Sequence, residues 1–188
     1  MVASPQPRSW VELGKTYPPA LAKLKEARDE AVKKVKGGKD VKRHFGDASA
    51  INKVLGEDKL THELFLHLDA KQPKAAKEAY PAAQAALIAR QDFKLCSKYI
   101  DIKEAIPRLT KEVQSIHQAQ KIGGFSASQK AQINQVLFDD CAKCIALLVI
   151  NDRRDEAVKV ADALRKKWDD KEFHAAIDLA LKGKLPKT

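Results

Sequence analysis

The sequence predicts an all-α protein built of antiparallel helical hairpins, stacked as a short solenoid or an irregular bundle, and three observations carry that expectation. Apolar residues recur at three- and four-residue steps through most of the 188 residues, the period of a helix with one buried face. Glycine pairs and Asn/Asp dipeptides interrupt those stretches where helices end and chains turn. No stretch alternates apolar with polar residues in the manner of a half-buried strand.

Residues 1–16, with Trp10 among small, polar and proline residues, read as a flexible N-terminal arm, and 17–188 as a single helical domain. Pro18 and Pro19 suit a first helical turn, where a missing N–H costs nothing. The helix they open is expected to run to Lys36 with Leu21, Leu24, Ala27, Ala31 and Val35 inward, and Gly37 and Gly38 end it. A short helix is expected from Asp47, as its cap, to Leu55, with Gly56 as the stop. Asp58 to Ala70 forms the next, and Gln72-Pro73 separates it from an alanine-rich segment reaching Arg90. Pro81 inside that segment predicts a kink or a break at Tyr80-Pro81.

Gln91-Asp92 turns the chain into a helix from Phe93 to Ile100. Another covers Ile102 to Lys121, with Pro107 in its first turn or at its true start. Gly123 and Gly124 break it, Ser126 or Ser128 caps a long helix to Ile150, and Asn151-Asp152 turn into a helix from Asp155 to Trp168. A last helix, Lys171 to Lys182, ends at Gly183.

The chain is long enough to bury a continuous core without disulfides or metals. No apolar run approaches the length of a membrane span and no export signal is recognisable. A processed leader would leave a small, polar N-terminus like Met1 to Ser9, so the compartment is left open. The formal net charge is +10, and residues 1–60 hold 13 basic and 8 acidic side chains. The densest basic run contains Lys33, Lys34, Lys36, Lys39, Lys42 and Arg43. Such a run suits phosphate, nucleic acid or an anionic lipid surface, and it equally suits the carboxyl end of a helix dipole and a solvated loop.

Thr61 to His67 reads THELFLH, close to the His-Glu-x-x-His zinc-protease signature. Four-residue spacing lets two histidines grip one ion; five-residue spacing at about 100° per residue sets His62 and His67 roughly 140° apart. His67 borders the Leu60, Leu64 and Leu68 stripe and stands four residues from Glu63, within reach of a surface hydrogen bond. No metal or cofactor is expected. Cys141 and Cys144 have redox-motif spacing, but with Ile133, Leu137 and Leu148 they form one face of a helix, so both thiols are expected as core residues. The odd third cysteine, Cys96, argues against a disulfide framework. The Lys121 to Ser128 loop has glycines before a helix, yet lacks the strand and the Gly-Lys-Ser/Thr ending of a phosphate loop.

Two hairpins look alike: Ala89 to Tyr99 and Ile150 to Val160 each place a short polar turn between helices, with Cys96 standing where Ala157 stands. Around Asp155, Glu156 and Ala157, continued by Ala161 and Leu164, the second resembles the helix-turn-helix centre of the tetratricopeptide repeat. The family's aromatic and glycine positions are not matched around Cys141 and Ile145, and no 34-residue period recurs. The resemblance implies stacked hairpins burying one another's apolar faces, with a concave groove for a peptide or helix.

The expected function is therefore a non-enzymatic helical-repeat module that binds another protein. The alternative is a basic helical domain that binds nucleic acid or another polyanionic surface through Lys33, Lys34, Lys36, Lys39, Lys42 and Arg43.

Overall fold

The computed structural model of the chain describes residues 18–186, and the expected N-terminal arm lies outside them. The described residues are all-α, with nine helices in two compact units that divide between Asp92 and Phe93. No described helix is long and apolar enough to cross a membrane.

The first unit begins with α1 (Pro18–Lys36), whose buried positions are Ala20, Leu24, Ala31 and Val35. Ala27, expected inside, is exposed, and the half-buried Arg28 occupies the intervening turn of that face. The second helix, α2, spans Val41–Leu55, about two turns longer than one capped by Asp47. The reason lies in packing: Val41, Phe45, Ala48 and Ile51 are all buried, an apolar stripe at four- and three-residue steps that extends upstream of Asp47. Gly46 is carried within it despite the entropic cost of a helical glycine. Lys42 and Arg43 consequently belong to a helix and not to a loop.

Helices α3 (Asp58–Lys71) and α4 (Pro73–Ala89) form the second hairpin. Pro81 neither ends α4 nor divides it. Near it, Ser49 Oγ donates to the Ala82 carbonyl at 3.0 Å, tying α2 to α4. The alanines repay their place in α4: Ala76, Ala79, Ala83 and Ala86 are buried and let α2 approach closely. Phe65 fills the centre, edge-on to Phe45 at 6.1 Å and near Tyr80 at 6.3 Å. Burial of such a ring stabilises by about 1.5–3 kcal/mol. The same core buries a polar pair, with Asn52 Nδ2 donating to Thr61 Oγ1 at 3.0 Å.

In the second unit α5 (Phe93–Lys98) and α6 (Ile102–Ile122) are followed by α7 (Ala127–Ile150), α8 (Arg154–Arg165) and α9 (Lys171–Ala180). α7 packs against all four others. Its carboxyl half buries Leu137, Phe138, Cys141, Ala142, Cys144, Ile145, Ala146, Leu147 and Leu148, while most of its first ten residues face solvent. Phe138 stacks on Phe173 at 4.8 Å and meets Trp168 edge-on at 5.5 Å, with His117 4.9 Å from the indole. Pro107 sits well inside α6, past the first turn, with Thr110 Oγ1 donating to the Ile106 carbonyl at 2.7 Å. Asp101, Ser126 and Asp170 accept backbone N–H bonds at the starts of α6, α7 and α9.

Five helices end in one way. At α1, α2, α4, α7 and α9 a residue of positive φ follows the last turn, and paired backbone bonds close back onto the final carbonyls. Glycine supplies the conformation at Gly38, Gly56 and Gly183, but Gln91 (φ 58°) and Asp152 (φ 60°) adopt it with a side chain attached.

Candidate functional site

In the first unit α1 packs mainly on α2, and α3 on α4, which leaves a groove of about 320 Å³ bordered by α1 and α3. Arg28, Asp29, Val32 and Lys36 come from α1; Leu60, Glu63, Leu64 and His67 come from α3. These are helix-period sets, so each helix presents one face to the opening. Val32, Leu60 and Leu64 supply apolar surface, and the charged residues stand round it. The half-buried Arg28 is held by Asp29 at 2.9 Å and by Glu57, which Lys25 also approaches at 3.6 Å. The guanidinium is thereby fixed and partly neutralised.

The two histidines address different surroundings. His67 lines the groove, whereas His62 Nε2 lies 3.3 Å from Asp92 Oδ2. Glu63 pairs with Lys59 at 3.6 Å and not with His67. Among the described residues no three His, Cys, Asp or Glu side chains gather where they would hold a metal ion.

All six residues of the basic run are exposed. Lys33, Lys34 and Lys36 occupy the last turns of α1, Lys39 the connection, and Lys42 and Arg43 the first turn of α2. Lys34 reaches Glu30 at 3.6 Å. The connection is fastened to the next hairpin by Gln72, whose Nε2 donates to the Lys36 carbonyl at 3.0 Å.

In the second unit Cys96, Cys141 and Cys144 are free thiols and all buried. Burial pushes the pKa of Cys141 up to about 12, the neighbouring Cys144 adding to the effect, and burial pushes that of Cys144 up to about 11. At these values both stay in the neutral thiol form at physiological pH, the form that packs in an apolar core. At the Gly123-Gly124 loop, Ser126 is the cap: its Oγ accepts from Gln129 N–H at 3.2 Å and Gln129 Oε1 accepts from Ser126 N–H at 2.8 Å. That capping box occupies donors an anion would otherwise meet.

The look-alike turns share their hydrogen bonds: Asp92 N–H donates to Leu87 and Arg153 N–H to Leu148, with Gln91 and Asp152 at matching positive φ. Arg153, which no motif singled out, organises the second of them. Its guanidinium donates to the Ser97 carbonyl at 2.7 Å, the Ile100 carbonyl at 3.0 Å and both Glu156 oxygens at 2.7 Å. Asn151 Nδ2 adds a bond to the Phe93 carbonyl at 3.0 Å. The hydrogen bonds between Arg153 and Glu156 hold the guanidinium's pKa up and the carboxyl's down.

No known protein family, no curated protein and no solved structure matches the chain.

Proposed function

We propose that the chain is a non-enzymatic helical module that binds another protein, its hairpins stacked in a manner like that of tetratricopeptide repeats. The groove between α1 and α3 carries this reading. Its volume stands at the low end of small-molecule sites, while its two helix faces combine apolar surface with charges of both signs. A few side chains of a helical or extended peptide match such a lining, with apolar anchors on Val32, Leu60 and Leu64 and polar neighbours meeting Lys36, Glu63 and His67. Leu60 keeps 38% of its surface exposed, so apolar area is there to be covered on binding.

Selection from a displayed peptide library tests the reading. Binders should shift the backbone NMR signals of Val32, Leu60, Leu64 and His67, and a Val32→Glu, Leu60→Glu variant should weaken them at least about tenfold by placing charge in an apolar contact. Binders that map elsewhere and ignore that variant would refute the assignment.

A further inference from the structure

We infer that the end of the first unit, where the α1–α2 and α3–α4 connections abut, is a binding face for the phosphate backbone of duplex nucleic acid. The juxtaposition rests on Gln72. Its amide nitrogen bonds the Lys36 carbonyl, and its Oε1 lies 3.3 Å from where a Cβ on Gly38 would stand. Two segments some thirty residues apart in sequence are thus held side by side. Lys71, the last residue of α3, and Lys74, in the first turn of α4, join Lys36, Lys39, Lys42 and Arg43.

These six side chains are exposed, and none has an ion-pair partner among the described residues. Asp40 in the first connection and Asp69 near the end of α3 offset part of the charge, and the cations outnumber them. Several other cations of the unit are paired locally: Lys23 with Glu26, Arg28 and Lys25 with Glu57, Lys34 with Glu30, Lys59 with Glu63. The helix dipoles add no net field, because the carboxyl ends of α1 and α3 meet the amino ends of α2 and α4 here; the positive potential comes from the side chains.

The kind of polyanion follows from what surrounds the charges. Among the described residues the large exposed apolar ones of the unit are Leu60 and Leu66, both on α3 at least a turn from Lys71, so none of the described residues sets an apolar wedge among the cations to enter a lipid layer. Among the described residues of the unit, the rings able to stack on unpaired bases, Phe45, Phe65 and Tyr80, are buried. What remains is a set of point charges and one guanidinium on two adjoining turns. Helices in contact lie roughly 8–10 Å apart, a separation that spans several of the closely spaced phosphates along a duplex.

The test compares two five-residue variants that lose the same charge. One replaces Lys39, Lys42, Arg43, Lys71 and Lys74 by Gln and spares Lys36, which also lines the groove; the other replaces the exposed Lys94, Lys159, Lys166, Lys167 and Lys171 of the second unit by Gln. Binding of a 20-base-pair RNA or DNA duplex is followed by fluorescence anisotropy at about 0.15 M salt. The first variant should bind at least about tenfold more weakly with a shallower salt slope, the second no more than about threefold. The Lys71→Gln, Lys74→Gln pair alone should produce part of the loss. Equal losses in both variants would reduce the binding to net charge. No duplex binding by the unaltered chain at this salt, or loss confined to phosphatidylserine vesicles, would overturn the assignment. Peptides selected on the groove should bind the first variant unchanged, which separates failure here from failure of the protein-binding reading.

Discussion

The first unit stacks hairpin on hairpin, whereas the second wraps four helices round a fifth. The first leaves a groove and encloses a polar pair, and Asn52 Oδ1 has no partner in its interior. The second surrounds α7 with a continuous aromatic and aliphatic core, and its buried polar residue, Ser97, is bonded by Arg153. The difference teaches which unit leaves surface open and which encloses it. A unit built of hairpins keeps whole helix faces open. A unit built round a central helix spends its apolar surface on itself.

The sharpest way to break this comparison is Phe173→Ala. The ring is fully buried and stacked on Phe138, so its loss should destabilise the second unit by about 3–5 kcal/mol in denaturant unfolding. Leu60→Ala in the groove should stay within about 0.5 kcal/mol. Similar costs for the two would erase the contrast. Arg153→Met comes next, at about 1.5–3 kcal/mol for lost charged hydrogen bonds. Its signature should be faster tryptic cleavage after Lys94 and Lys98 in α5, with the near-ultraviolet signal of Trp168 retained. A cut rate unchanged from the parent would show that Arg153 does not hold α5.

The thiols give a pH test confined to the second unit. Their folded pKa values are raised, so their stabilising effect is complete below the unfolded pKa near 8.5 and is lost as pH rises toward 11–12. Each thiol should cost about 1.4 kcal/mol per pH unit above that onset. A Cys141→Ala, Cys144→Ala variant should lose less stability than its parent between pH 8.5 and 10.5; parallel curves would show that the thiols do not titrate on unfolding. The smallest effect belongs to the turns. Gln91→Gly in the first unit and Asp152→Gly in the second relieve left-handed strain and should each stabilise by up to about 1 kcal/mol, in thermal unfolding. A loss at either site would mean that its side chain holds the turn in some further way.

Much of this architecture was legible because helices announce themselves through local periodicity. The Ile133, Leu137, Cys141, Cys144, Leu148 spacing placed both thiols in the core before any contact was known, and five-residue spacing separated His62 from His67. The start of α2 was missed because Asp47 makes a plausible cap, while the earlier stripe through Val41 and Phe45 lies beneath a run of lysines. At Pro81 the expected break does not occur: a proline removes one hydrogen bond, and the buried alanines on either side outweigh it. Partners distant in sequence left no local trace. Nothing near Gln72 indicates that it reaches Lys36, nor anything near Arg153 that it reaches Ser97. The likeness of the Gln91 and Asp152 turns was readable, but three other helices end with the same bonds, so it marks a common way of stopping a helix as much as a repeat.

One helix should also keep two clocks. α7 is about 36 Å long, and its amino half stands in solvent while its carboxyl half is walled in. The amides of 130–136 need only local fraying to meet water, restrained by the capping box at Ser126. Those of 141–148 need the second unit to open as a whole. Hydrogen exchange along this single continuous rod should therefore slow by orders of magnitude from its first turns to its last, with the step near Leu137. The same backbone ladder would then report local opening at one end and global unfolding at the other.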